Sequence, residues 1–95
     1  DATVLGSSAP VLVDFHADWC APCRLVAPVV DEIAGRLSGR LLVAKVDTDR
    51  APRIAQRYQI RGIPTLILFR DGAEMGRSVG FDPEGIRSLA DGAVA

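Results

Sequence analysis

Both cysteines of the chain lie in WCAPC, residues 19 to 23. Cysteines three apart can form a structural staple, supply half of a metal site, or cycle between dithiol and disulfide. A staple gains least at this spacing, because a disulfide stabilises mainly by closing a loop in the unfolded chain and the effect grows with loop length. A structural zinc site wants four ligands, usually as two separated pairs. Here there is one pair and one histidine, His16, so four thiolates would require a dimer. The reactive reading fits the position of the pair. Cys20 falls at the predicted start of a helix, where unpaired N–H groups and the positive end of the helix dipole favour a thiolate. A thiol with the ordinary pKa of about 8.5 is only a few per cent ionised at pH 7, and lowering it to about 7 makes it roughly half ionised. Cys23, one turn further in and expected to be the more buried, is placed to attack a mixed disulfide on Cys20 and release a reduced substrate.

The elements that must hold this pair can be read from spacing. Residues 11 to 16, VLVDFH, form a short apolar run opened by Pro10 and predict a buried strand. A helical pattern follows Asp18, with Leu25, Val29, Ile33 and Leu37 four apart, flanked by Val26, Val30 and Ala34. Ser38-Gly39 is its stop signal, and Pro28 inside it should kink the axis. Residues 41 to 47, LLVAKVD, predict the next strand, and a short helix follows with Thr48 or Asp49 as N-cap and Pro52 in its first turn. This order implies a right-handed parallel βαβ unit. The strands 65 to 69 and 73 to 79 flank Asp71-Gly72, a hairpin signal. Asp82-Pro83-Glu84 then opens a last helix whose apolar face is Ile86, Leu89, Ala90 and Val94. A CxxC between a strand and a helix of a βαβ unit is the sequence mark of a redox site.

Length and composition bound what else the chain can be. Its 95 residues predict a single domain spanning 1–95, and the few aromatics leave the core to Val, Leu, Ile and Ala. The net charge of -1 and the scattering of the 11 basic residues give no field for nucleic acid or acidic lipid. No apolar stretch approaches the roughly 20 residues that span a bilayer, and DATVLGSSAP has neither the basic start nor the apolar centre of a signal peptide. A cytoplasmic location, without membrane or nucleic-acid partners, is the expectation.

The blocks VLVDFHADWCAPCR, VAKVD, IRGIPTLILF and the Val79-Gly80 pair resemble, in order and spacing, those of the thioredoxin family. The resemblance covers most of residues 10 to 92. It implies an α/β thioredoxin fold, βαβ followed by ββα, with a mixed sheet and helices on both faces. It also implies a monomeric protein-disulfide reductase with no cofactor beyond its redox-active Cys20–Cys23 disulfide and no metal. Its partners would be disulfide-containing protein substrates and a thioredoxin reductase that recharges it. By the same resemblance Cys20 attacks and Cys23 resolves. Pro64 follows a cis bond, and Trp19, Ala21, Pro22, Gly62, Ile63, Val79 and Gly80 form a flat docking surface in which the Ile63 backbone pairs with substrate. Asp14 interrupts an apolar strand, sharing a face with Leu12 and His16, so its carboxyl should be partly desolvated and its pKa raised. The alternative from pattern alone is an Asp on a solvated face of the strand. The family places its counterpart under the active site, where it helps deprotonate the resolving thiol, with Lys45 as the nearby cation. Lys45 reads as readily as an edge-strand guard.

Three departures stand out. Ala21-Pro22 replaces the commoner Gly-Pro between the cysteines, which bears on the redox potential. His16 stands where many members carry an aromatic; it is either a planar packing substitute or a modulator able to titrate near neutral pH. Only 10 residues precede the first strand, fewer than the usual leading strand and helix need, so four strands rather than five are expected. Two rivals remain: an oxidase or isomerase of the same fold, and a non-catalytic module that docks proteins through Trp19, Ile63 and Pro64.

Overall fold

The computed structural model describes residues 9–95. It contains strand β1 (Val11–His16), helix α1 (Ala21–Arg36), strand β2 (Leu42–Asp47), helix α2 (Pro52–Arg57), strands β3 (Thr65–Arg70) and β4 (Ala73–Val79), and helix α3 (Pro83–Val94). Among the described residues the sheet has four strands in the order β2-β1-β3-β4. β1 runs parallel to β2 and antiparallel to β3, and β4 closes an antiparallel hairpin on β3. The expectation that the usual leading strand and helix are cut short concerns chiefly residues 1–8, which lie outside the described residues.

The two faces of the sheet follow from strand alternation. Leu12, Leu66 and Leu68 point to one side and pack with Val26, Val30 and Ile33 of α1 and Ile86 and Ala90 of α3. Val11, Val13, Phe15, Ile67 and Phe69 point to the other, where Ile54 of α2, Tyr58 and Ile60 cover them. Tyr58 meets Phe69 edge-on with ring centroids 5.2 Å apart. β1 is thus buried on both faces and fixed between two strands, which makes its C-terminal end a rigid platform.

Two details depart from the sequence expectations. The buried face of α1 runs through Cys23, Val26, Val30 and Ile33, and Leu25 is 63% exposed. Of the stripe expected through Leu25, Val29, Ile33 and Leu37, the last two are buried with the flanking Val26 and Val30, Val29 is half-buried against them, and Leu25 turns outward, because an i, i+4 series drifts around a helix that an alternation of three and four tracks. α2 begins later than expected, with Ala51 at its N-cap and no side-chain cap. Thr48 and Asp49 lie ahead of it, and Thr48 Oγ1 donates to the His16 carbonyl instead, 3.2 Å away. Pro52 does fall in the first turn.

The other punctuation held. Asp71 and Gly72 have φ of 53° and 79°, the doubly left-handed turn that a two-residue hairpin needs. Asp82 caps α3 by accepting the Gly85 N–H at 3.0 Å. α1 is a single helix through Pro28, which lies on its exposed side.

Candidate active site

β1 ends at His16, and the turn that follows delivers Cys20 to the N-cap of α1, with the Cys20 N–H donating to the Ala17 carbonyl at 3.2 Å. Cys20 has an extended backbone, and its Sγ accepts the Cys23 N–H at 3.2 Å. A sulfur therefore occupies the place normally taken by a capping oxygen. The first turn of α1 carries no acidic side chain, so the positive helix end is left for that sulfur to feel. Cys20 and Cys23 are joined in a disulfide. Both are buried, Cys20 at 3% and Cys23 at 6% exposure, so the expected greater burial of Cys23 does not hold. The helix start tucks Cys20 under the Ile63 loop, whose carbonyl oxygen lies 3.7 Å from its Sγ.

Around the disulfide the expected surface assembles from three segments. Trp19 is 68% exposed and donates its indole N–H to Asp49 Oδ2 at 2.8 Å, which fixes the ring over the loop before α2. The Ile63–Pro64 bond is cis. Thr65 Oγ1 donates to the Gly62 carbonyl at 2.6 Å, and the Gly80 N–H donates to the Pro64 carbonyl at 2.8 Å. Gly80 has a φ of 84°, so a side chain there is strained even though space is open. Val79 is exposed beside Gly62, while Pro64 is buried. Trp19, Gly62 and Ile63 line a groove of about 330 Å³ with Thr48, Ile60 and Arg61. Ala21 and Pro22 are exposed at the start of α1.

Behind the disulfide lies a second cleft, of about 250 Å³, lined by Asp14, His16, Cys23, Arg24 and Lys45 among others. Asp14 is only 3% exposed, and its Oδ1 has no hydrogen-bond partner. Burial pushes its carboxyl above the ordinary range, against the pull of His16 and Lys45, and the nearby Asp31 adds to the rise. The solvated reading of Asp14 is thereby excluded. Lys45 is its register partner on β2, yet the Lys45 ammonium pairs with Asp31 Oδ1 on α1 at 3.0 Å.

The sequence that builds this geometry matches known proteins. The sequence model of the Thioredoxin family matches residues 1–91. The chain belongs to the thioredoxin family. It is 57% identical to Thioredoxin 1 of Synechococcus elongatus over 85% of this chain and 76% of that protein. It is 52% identical to Thioredoxin of Mycolicibacterium smegmatis over 93% of this chain and 82% of that protein. Against the chloroplastic Thioredoxin M5 of Oryza sativa the figure is 49%, over 88% of this chain and 49% of that one. Membership and the cysteine pair make the chain a thiol-disulfide oxidoreductase, and thioredoxins need no cofactor beyond the redox-active disulfide. Among the described residues no group of three or more His, Cys, Asp or Glu is placed to hold a metal, and no helix is long and apolar enough to cross a membrane.

Sequence reasoning missed the supporting residues of this thioredoxin site. Asp49 was read as a cap and instead holds Trp19. Asp31, which takes the lysine, drew no notice, and Thr65, which holds Gly62, was read only as the start of a strand in IRGIPTLILF, because contacts between segments leave no periodic trace.

Proposed function

We propose that the chain reduces protein disulfides, with Cys20 as nucleophile and Cys23 as resolving thiol. The Cys20 thiolate attacks one sulfur of a substrate disulfide, forming a mixed disulfide and expelling the first substrate thiolate. Cys23 loses its proton to Asp14, and its sulfur attacks Cys20 Sγ. The Cys20–Cys23 bond forms, the mixed disulfide breaks, and the second substrate thiolate leaves. Two electrons pass to the substrate, and a thioredoxin reductase returns two electrons and two protons. Substrate lies across Trp19, Ala21, Pro22, Gly62, Ile63, Val79 and Gly80, with an extended segment pairing to the Ile63 backbone beside Pro64. Lys45 acts at one remove, by neutralising Asp31 beside the Asp14 cleft.

The observation that carries this reading is the Cys20 sulfur at an N-cap with no acid in the first turn, 3.7 Å from the Ile63 carbonyl. One thioredoxin-like domain, acting as a monomer in the cytoplasm, is the reading proposed, supported by the bacterial relatives that this chain matches over most of their length. The chloroplastic relatives carry their compartment in their own names.

Equilibration with glutathione buffers at pH 7 tests the direction of the reaction. Thioredoxins as a class sit at about -270 mV, so a potential near or below about -250 mV is expected. A value above about -180 mV would make the chain an oxidase or isomerase. The same preparation tests the roles: Cys23→Ser should accumulate a mixed disulfide with substrate, and Cys20→Ser should form none. If the double Ser variant loses no function, the docking-module reading replaces this one.

A further inference from the structure

The cation expected to serve Asp14 is occupied elsewhere. Lys45 Nζ lies 3.0 Å from Asp31 Oδ1, and the lysine side chain is 45% exposed. A lysine so paired neutralises Asp31 and stands partly in water, where its field is weakened. His16 is differently placed. It lies two residues beyond Asp14 on β1, so strand alternation puts both side chains on one face. Both line the cleft that Cys23 also lines. Burial raises the Asp14 carboxyl, and His16 opposes that rise more strongly than Lys45 does.

The other charges near this cleft are paired elsewhere or stand in water. Arg24 of α1 donates to the Asp18 carbonyl in the turn, at 2.7 Å. Asp47, the register partner of His16 on β2, accepts the Asp49 N–H and faces Arg50 at 3.7 Å. Asp31 of α1 holds Lys45. Asp18 is exposed in the turn. Imidazole is also the one side chain whose charge ordinarily changes between pH 5 and 8.

We propose that His16 is a positioning residue for the resolving step, its imidazolium holding Asp14 in the carboxylate form that accepts the Cys23 proton. The proposal rests on the role given to Asp14 above. In that step the Cys23 S–H bond breaks and its proton goes to the Asp14 carboxylate. The sulfur's electron pair forms the bond to Cys20 as the Cys20–substrate bond breaks. His16 does not touch the reacting sulfurs; it sets the charge of the group that does the proton transfer.

The test reads Asp14 itself. The Asp14 carboxyl carbon is titrated by NMR in the full chain, wild type against His16→Phe and His16→Gln, with Lys45→Gln alongside. The Asp14 midpoint should rise by about 1 unit in both His16 variants, and by less in Lys45→Gln. Stopped-flow oxidation of the reduced protein by a disulfide substrate should show the acid limb of the resolving step moving the same way. That is up to about tenfold slower at pH 6 and little changed at pH 8. An Asp14 midpoint unmoved in whichever His16 variant folds, or moved more by Lys45→Gln, overturns the proposal and leaves the role of Asp14 standing. Wild-type resolution by Asp14→Asn overturns it through Asp14 instead, so the two failures are told apart.

Discussion

A carboxyl oxygen cut off from water and without a hydrogen-bond partner costs stability whenever the group is ionised. Asp14 is such a group, and its folded-state pKa is raised above its ordinary 3.8 mainly by desolvation. The folded form therefore binds its proton more tightly than the unfolded form does, and stability falls as pH rises from the unfolded value through the folded one. Below about pH 3.8 both states are protonated and the penalty is absent. Asp14→Ala should accordingly stabilise the fold at pH 7 by about 1–3 kcal/mol. In urea melts run from pH 8 to pH 4 the gain should shrink as pH falls, while resolution of the mixed disulfide is slowed at neutral pH. A stability difference that is flat with pH would mean that desolvation of the charge is not the cause. The interruption of VLVDFH by Asp14 was legible in the sequence, but the same pattern allowed a solvated face, and only the packing of the strand decided for burial. The partner of Lys45 was not: Asp31 is 14 residues away on α1, and only the packing of α1 against β2 brings them together.

Elements announced by their ends were read best. Asp71-Gly72 gave the hairpin because two consecutive left-handed residues exclude most other pairs. Asp82-Pro83-Glu84 gave α3 because each residue serves its own position in a first turn: Asp82 accepts the Gly85 N–H, Pro83 needs no donor and Glu84 faces the positive helix end. α2 lacks any side-chain cap, so its start could not be placed from the acidic run ahead of it. The phase of α1 was also blurred, because Leu25 is as apolar as its buried neighbours and chemistry alone does not say which side faces the sheet. The capping argument makes a quantitative expectation. Asp82→Ala should cost about 1 kcal/mol of unfolding free energy, read as a lower urea midpoint at unchanged slope. Asp82→Asn should keep most of it, since an amide oxygen can still accept the Gly85 N–H. Equal losses in the two variants would assign the effect to the negative charge at the helix start rather than to the hydrogen bond.

For the whole molecule, the decisive feature is how little net field it carries. Twelve acidic and eleven basic residues nearly cancel, and the side chains nearest the disulfide groove include both Asp49 and Arg61. Electrostatic steering accelerates encounter by 10- to 1,000-fold only where one sign of charge dominates a surface. The docking surface proposed above instead presents Trp19 and Val79, both mostly exposed, together with Gly62, Gly80 and Ile63. Such a surface gains its affinity from apolar area and backbone contact, which salt does not screen. The near-cancelling charge was legible in composition, whereas the meeting of Val79 with Gly62 depends on the pairing of distant segments. Between about 0.01 M and 0.15 M salt the Debye length falls from about 30 Å to about 8 Å, enough to erase a steering field. The kcat/KM for reducing a protein disulfide of near-neutral surface should nonetheless change by less than about threefold over that range. A steeper fall would locate a charged contact within the docking surface. Repeating the measurement with Arg61→Gln and Asp49→Asn would show which side chain makes it: loss of the salt slope in the first would point to an acidic substrate edge, in the second to a basic one.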